Sequence, residues 1–351
     1  MALQQQLAVS TAPGIATTNW TRFAAGLLLC VAIAALAIVA GGYAPVVGAP
    51  VIAIAIGVVL TNTLRGPLHI GTLRIGDISK LCLKGGIILL GASLDLGVIL
   101  RTGAESLPVL LLTIGVGLTS ALLLGRAMSV HWRMRCLIGI GTTICGASAI
   151  AALAPVVRAR AEEIAYSISV IFFFNMLAVF TFPAIGHFMQ LSEPGFGLWA
   201  GTAVNDTSAV VAAGFAFGHD SGTIATIVKL TRTTLIIPLV IGFGLLMPWF
   251  EPRPDADKES LARRVYQAVP VFIVLFVVAS LLNTLGLMGQ LGPSIQLVGR
   301  WVLVVALAAV GLQGHWRAFT GAGARPLLLG LVTWAAVAVA SLAVQSWTNS
   351  L

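Results

Sequence analysis

Charge is what this chain has least of. Only 9% of its 351 residues are Asp, Glu, Lys or Arg, against about a quarter in an ordinary soluble domain, which excludes a soluble globular protein. Cysteine is scarce too. Cys30, Cys82, Cys136 and Cys145 lie in or beside apolar runs without framework spacing, so neither a disulfide scaffold nor a zinc site is expected. The histidines His69, His131, His187, His219 and His315 fall at the ends of apolar runs or in loops. A serine nucleophile buried in a membrane therefore finds no base, and an intramembrane hydrolase built on the Gly-Ala-Ser of 146–148 stays a remote alternative. There is no phosphate-binding loop of the Gly-x-x-x-x-Gly-Lys-Ser/Thr type, which excludes ATP-driven pumping within this chain. No cofactor is implied. The first side-chain charge is Arg22, so the chain lacks the basic start of a signal peptide, and residues 1–20 are expected to form a short cytoplasmic tail.

What remains is apolar. Hydrophobic residues make up 58% of the chain, and many runs reach the roughly 20 residues that cross a bilayer. They are rich in Leu, Ala, Val and Gly without the strict alternation of an outer-membrane barrel, so they read as helices. Candidate spans cover roughly 21–42, 45–62, 80–100, 105–126, 163–186, 222–249, 265–287, 294–315 and 326–348. The expectation is an all-α polytopic membrane protein with about 9–11 spans, a single transmembrane domain over 21–351 and a cytoplasmic loop at 250–264. The net charge of +8 does not point to nucleic acid, because the cations cluster in short loops, the positive-inside pattern. With the N-terminus inside, Arg65, Arg74, Lys80, Arg126, Arg133, Arg135, Arg253, Arg263, Arg264, Arg317 and Arg325 all fall inside, and Arg101 falls outside.

One stretch is written twice. GTTICGASAIAAL at 141–153 returns as GTAVNDTSAVVAA at 201–213, with Gly, Thr, Ser and Ala in step sixty positions later. Interrupted, polar-centred segments in matching places point to the binding site of a secondary transporter. The surrounding segments, 136–157 and 197–218, either cross the membrane as broken helices or dip in and return as re-entrant hairpins. If the first crosses, one of its flanking arginine pairs lies outside, and if it dips, both lie inside; the acids around the second allow a dip from outside; broken crossing helices are the first expectation and hairpins the alternative. A second echo aligns 86–115 with 304–333, Gly91 matching Gly311 and Pro108 matching Pro326 after a two-residue shift. The two copies start on opposite sides, which is inverted-repeat symmetry.

Ionisable groups at membrane depth are functional by default. Five lie within spans: Asp95, Asp206, Lys229, Arg232 and Arg300. Lys229 and Arg232 are spaced i, i+3 and share a helix face, with Thr226 and Thr233 beside them. The expected site is a polar cavity lined by Thr142, Thr143, Gly146, Ser148, Asn205, Asp206, Thr207 and Ser208, with Lys229 and Arg232 facing it. Half-helix N-termini would add anion-favouring N–H groups. The bland counterparts are a structural salt bridge between Asp206 and one of the two cations, and close helix packing for the small residues. Asp95 could simply cap a helix, Cys145 could be a packing residue, and Arg300 could snorkel to the outer surface.

The runs ICGASAIAALAPVVRARAEEIAYSIS (144–169), FGLWAGTAVNDTSAVVAAGFAFG (196–218) and ATIVKLTRTTLIIPLV (225–240) resemble the YeiH (UPF0324) family of bacterial inner-membrane proteins, which carry the label sulfate exporter. The resemblance runs from about residue 45 to the C-terminus. It implies an inverted-repeat fold similar to sodium/proton antiporters and bile-acid symporters, with 141–152 and 201–213 as two broken crossing helices. It also implies a His-Asp pair where this chain has Asn205-Asp206. The leading expectation is a secondary carrier, not an enzyme, that moves a small anion such as sulfate across the lipid bilayer. In it Asp206 binds a coupling proton or sodium, and Lys229 and Arg232 bind the anion. A cation/proton antiporter is the alternative. Fold analogy suggests a homodimer.

Overall fold

The computed structural model describes residues 14–43, 48–63, 72–239, 241–243, 270–314 and 323–348. The expected cytoplasmic loop at 250–264 and most of the expected N-terminal tail lie outside the described residues. Within them the chain is helical and no strand occurs. In order, the helices are α1 (Gly14–Tyr43), α2 (Gly48–Thr63), α3 (Ile75–Gly91), α4 (Leu96–Ala127), α5 (Trp132–Thr143), α6 (Ala147–Leu153), α7 (Ala161–Phe188), α8 (Glu193–Ala203), α9 (Thr207–Phe217), α10 (His219–Thr234), α11 (Val271–Thr284), α12 (Gly292–Gly311) and α13 (Ala324–Trp347). Six apolar stretches, Trp20–Tyr43, Leu96–Ala127, Ala161–Phe188, His219–Phe243, Ser294–Gly311 and Ala324–Trp347, are long enough to cross a membrane. The shorter α2, α3 and α11 pack among them.

Both interrupted segments fold back as helical hairpins with their two ends together, which corrects the expectation of broken crossings. In the first, Arg133 near the start of α5 donates its Nε to the carbonyl of Val157 beyond α6, at 3.1 Å. His131 pairs with Glu163 at 2.9 Å, and Ile150 of α6 packs on Gly141 of α5. Entrance and exit thus lie together at the start of α7. In the second, the Glu193 carboxylate accepts from the main-chain N–H groups of Asp220 and Ser221 at 2.8 and 3.1 Å. Phe196 of α8 stacks on Phe217 of α9 with ring centroids 4.0 Å apart. His187 stacks on Phe217 as well, so this hairpin opens at the far end of α7. The 28 residues of α7 span about 42 Å, so the two hairpins dip from opposite faces. An arm of α8's length, 11 residues, reaches about 17 Å, past the middle of a hydrocarbon core about 30 Å thick.

The remaining helices repeat in pairs. Helix α3 packs on α12 and α4 on α13, matching the echo between 86–115 and 304–333. Gly86 of α3 meets Leu303 of α12, and Gly299 of α12 meets Leu89 of α3. These contacts make the pair antiparallel, as inverted repeats require.

The chain departs from expectation at 80–126. The expected spans 80–100 and 105–126 are divided differently: α3 ends at Gly91, and α4 runs from Leu96 through Pro108 to Ala127. Asp95 sets that boundary. It is the N-cap of α4, and its Oδ1 accepts from Gly97 N at 2.7 Å and Val98 N at 3.4 Å. Its carboxylate therefore serves a helix start instead of sitting mid-span. Arg101 and Glu105, expected in a loop, form an exposed i, i+4 pair within α4. All four cysteines are free.

The hairpins predict sided chemistry. Single cysteines placed at Arg133 and Arg158 should react with an impermeant thiol reagent from one face of sealed vesicles only, and cysteines at Glu193 and Asp220 from the other. Crossing helices would split each pair between the two faces.

Candidate functional site

The hairpin tips meet beside the middle of α7. The first turns at Ile144–Gly146, where Gly146 adopts φ 65°, ψ −129°, a conformation almost reserved for glycine. The second turns at Val204–Asp206, where Asn175 of α7 accepts through Oδ1 from the main-chain N–H groups of Asn205 (3.1 Å) and Asp206 (3.0 Å). The tips touch: a Cβ on Gly146 would lie 3.6 Å from Asp206 Cβ.

A helix that stops inside a protein leaves its last carbonyls without partners. Here α5 and α8 both stop at mid-depth, and α10 answers them with two cations. Lys229 Nζ donates to the carbonyls of Ile144 (2.7 Å), Val204 (3.1 Å) and Asn205. Arg232 donates through Nη2 to Thr142 O (2.6 Å), through Nη1 to Thr202 O (2.6 Å) and through Nε to Thr143 O. Each cation bonds carbonyls of both hairpins, and both are fully buried. The i, i+3 spacing does put them on one face. That face looks at the backs of the hairpins, and neither residue lines the cavity. The expectation that they face the cavity is therefore corrected. The carbonyl ends of α5 and α8, the negative poles of their dipoles, supply the counter-charge.

The cavity lies on the other side of the tips. It has a volume of about 340 Å³, and its polar lining comes from Ser79, Lys80 and Lys84 of α3, Ser148 of α6, Asn175 of α7, Asp206, Thr207 and Ser208 of the second hairpin, and Gln313 just past α12. Asp206 is the N-cap of α9. Its Oδ2 accepts from Ser208 N at 3.0 Å and from the Ser208 hydroxyl. Lys80 and Lys84, spaced i, i+4, share a face of α3. The Lys84 ammonium stands 6.0 Å from the centroid of the Phe272 ring.

Of the residues expected at the site, Ser148, Asp206, Thr207 and Ser208 border the cavity. Thr142 and Thr143 are wholly buried and contribute main-chain carbonyls to Arg232. Asn205 is 1% exposed and Cys145 is buried, both at hairpin tips. Asp95 and Arg300 lie away from this cavity. Sequence reasoning missed Lys84, Ser79, Asn175 and Gln313, and it placed Lys80 in a loop. Lys84 stood inside an expected span, four residues after Lys80, and Asn175 is a polar residue in the middle of the run 163–186.

Removing either clamp should cost stability first. Hydrogen bonds to charged groups contribute about 1.5–3 kcal/mol each. Arg232→Met or Lys229→Met should therefore lower the thermal midpoint of the purified protein by an amount equivalent to about 3 kcal/mol or more. Were these side chains free to bind an anion, the same changes would leave stability unaltered or raise it by relieving charge repulsion.

The chain matches a family model described as "Conserved hypothetical protein 698" over residues 25–330. It is 39% identical over 330 residues to a UPF0324 membrane protein of Streptococcus pneumoniae (strain ATCC BAA-255 / R6), covering 92% of this chain and 96% of that relative. It is 39% identical over 331 residues to one of Streptococcus pyogenes serotype M18, covering 91% and 96%. Against one of Streptococcus agalactiae serotype V the identity is 37% over 329 residues, covering 92% and 96%. No solved structure matches it. With membrane-length apolar helices and relatives matched over nearly their whole length, this chain belongs to the UPF0324 family of membrane proteins.

Proposed function

We propose that this protein is a secondary carrier of a small oxyanion, sulfate being the first to test, working by alternating access in a bacterial inner membrane. One observation carries the reading: a cavity reaches the meeting point of two hairpins that enter from opposite ends of α7, beside the Asp206 carboxylate. Such a mid-membrane meeting of broken elements is where carriers hold their substrates. The charges lining the cavity are Lys80, Lys84 and Asp206. With Asp206 ionised the lining is one charge positive; with it protonated, two. A doubly charged oxyanion therefore binds best when a proton binds with it, which couples the two. The hydroxyls of Ser79, Ser148 and Thr207 and the amides of Asn175 and Gln313 supply donors around it.

Asp206 suits the proton role. It is the one carboxylate among the described residues that line the cavity. Sodium fits less well. In carriers that bind sodium, unwound carbonyls and half-helix C-termini coordinate it, and here Lys229 and Arg232 occupy those carbonyls. The same feature weighs against a cation/proton antiporter. The face carrying Arg133, Arg135, Arg158 and Arg160 is the cytoplasmic one, by the positive-inside pattern.

Reconstituted protein should move labelled sulfate or another small oxyanion from a substrate panel. A charge-assisted contact of about 1.5–3 kcal/mol corresponds to about tenfold or more in affinity, so Lys84→Gln should raise the half-saturating anion concentration at least about tenfold. Asp206→Asn should abolish accumulation driven by a proton gradient and leave anion exchange running. Wild-type behaviour in both variants would refute the assigned roles.

A further inference from the structure

A second cavity, also of about 340 Å³, opens at the opposite end of the molecule, and among the described residues Arg300 is the one lysine or arginine that lines it. We propose that Arg300 is the anion-receiving group of a second vestibule, the inverted twin of the first, from which the same oxyanion enters or leaves on the opposite face. The inference rests on the carrier reading above and adds a site to it.

The echo supplies the first support. Gly91 aligns with Gly311, and the same offset carries Lys80 onto Arg300. Lys80 lies on α3 and Arg300 on its antiparallel partner α12. Gly299 meets Leu89, so Arg300 stands near the level of Leu89, nine residues from Lys80, or about 14 Å along the axis. Matching cations thus sit in opposite halves of the bilayer.

The walls correspond in part. The first cavity is bordered by α3, the start of α11 at Phe272, the first hairpin, α7 and the Asp206–Ser208 turn of the second hairpin. The second is bordered by α12, the start of α2 at Ala49 and Pro50, and the second hairpin at Val211 and Phe215. His219, at the start of α10, also lines it, and its Nε2 is 3.0 Å from Gln296 Nε2. Helices α3 and α12, the partners in the echo, thus wall one cavity each, while α7 and the Asp206–Ser208 turn border only the first. Between them lies one apolar layer. Ile87 borders the first cavity, Val211 and Leu303 border the second, and all three belong to one buried cluster with Phe276 and Ile227. An ion handed from Arg300 to Lys80 has only this layer and the hairpin tips to pass. Arg300 is itself exposed, so it is free to take an anion.

Sided flux measurements test this. In sealed vesicles of one orientation, half-saturation for labelled oxyanion is measured with the ion offered on each face in turn. Arg300→Gln should raise it about tenfold on the face where α10 begins and leave the other face unchanged; Lys80→Gln should do the reverse. Arg300→Lys should restore most of the loss, and an unchanged thermal midpoint shows that folding is intact. Equal effects of Arg300→Gln on both faces, or on neither, overturn the vestibule while leaving the carrier reading standing. An oxyanion at Arg300 could instead be a lipid headgroup. In that case the variant's effect follows the anionic-lipid content of the vesicle and not the ion concentration, and the vestibule assignment falls. Absence of oxyanion flux through the unaltered protein defeats the carrier reading and this inference together.

Discussion

The architecture depends on two buried cations bonding the unfinished ends of two hairpins. A hairpin that stops at mid-bilayer presents carbonyls where neither water nor another helical turn can satisfy them, and each such group costs several kcal/mol in hydrocarbon. Lys229 and Arg232 resolve that cost for both hairpins at once, because each reaches carbonyls of α5 and of α8. The reverse holds too. Two fully buried positive charges are tolerable because helix C-termini surround them. Remove the cations and the tips have no reason to meet; remove the tips and the cations have no reason to be buried.

From that clamp the rest of the site follows. Once the C-terminal ends of α5 and α8 are held on the α10 side, the helices that leave the tips, α6 and α9, start toward the cavity and bring Ser148, Asp206 and Ser208 to its wall. The clamp thereby separates structural charge from working charge. The buried pair fixes the backbone, while Lys80, Lys84 and Asp206 face the open space. Asn175 couples α7 to the same junction by holding two successive N–H groups of the second tip.

Much of this was legible in the sequence. The doubled Gly-Thr-Ser-Ala stretch marked both interruptions to within a few residues, but the arginines flanking 136–157 left a hairpin as the second choice behind a broken crossing. The i, i+3 spacing correctly put Lys229 and Arg232 on one face. Which way that face looked was not legible, because their partners are main-chain carbonyls, which carry no residue identity. Asp95 misled for a related reason: a carboxylate in an apolar run looks like a membrane-depth charge until the chain is seen to turn there, and the turn exists because Asp95 caps the next helix. The expected break between 100 and 105 is one that α4 runs through with Pro108 inside it, since proline is tolerated inside membrane helices whose freed backbone groups find other partners. Lys84 escaped notice because the span edge was drawn beside Lys80, and only the packing of α3 shows that both lysines share the cavity.

The most direct test of the account is an experimental map of the protein in lipid nanodiscs at a resolution that shows side chains, recorded with a transported oxyanion present. The account predicts two hairpins inserted from opposite faces, the Lys229 ammonium on the carbonyls of Ile144 and Val204, and anion density between Lys84 and the Asp206–Ser208 turn. Two helices running unbroken through the bilayer, or an anion bound directly to Lys229 and Arg232, would contradict it.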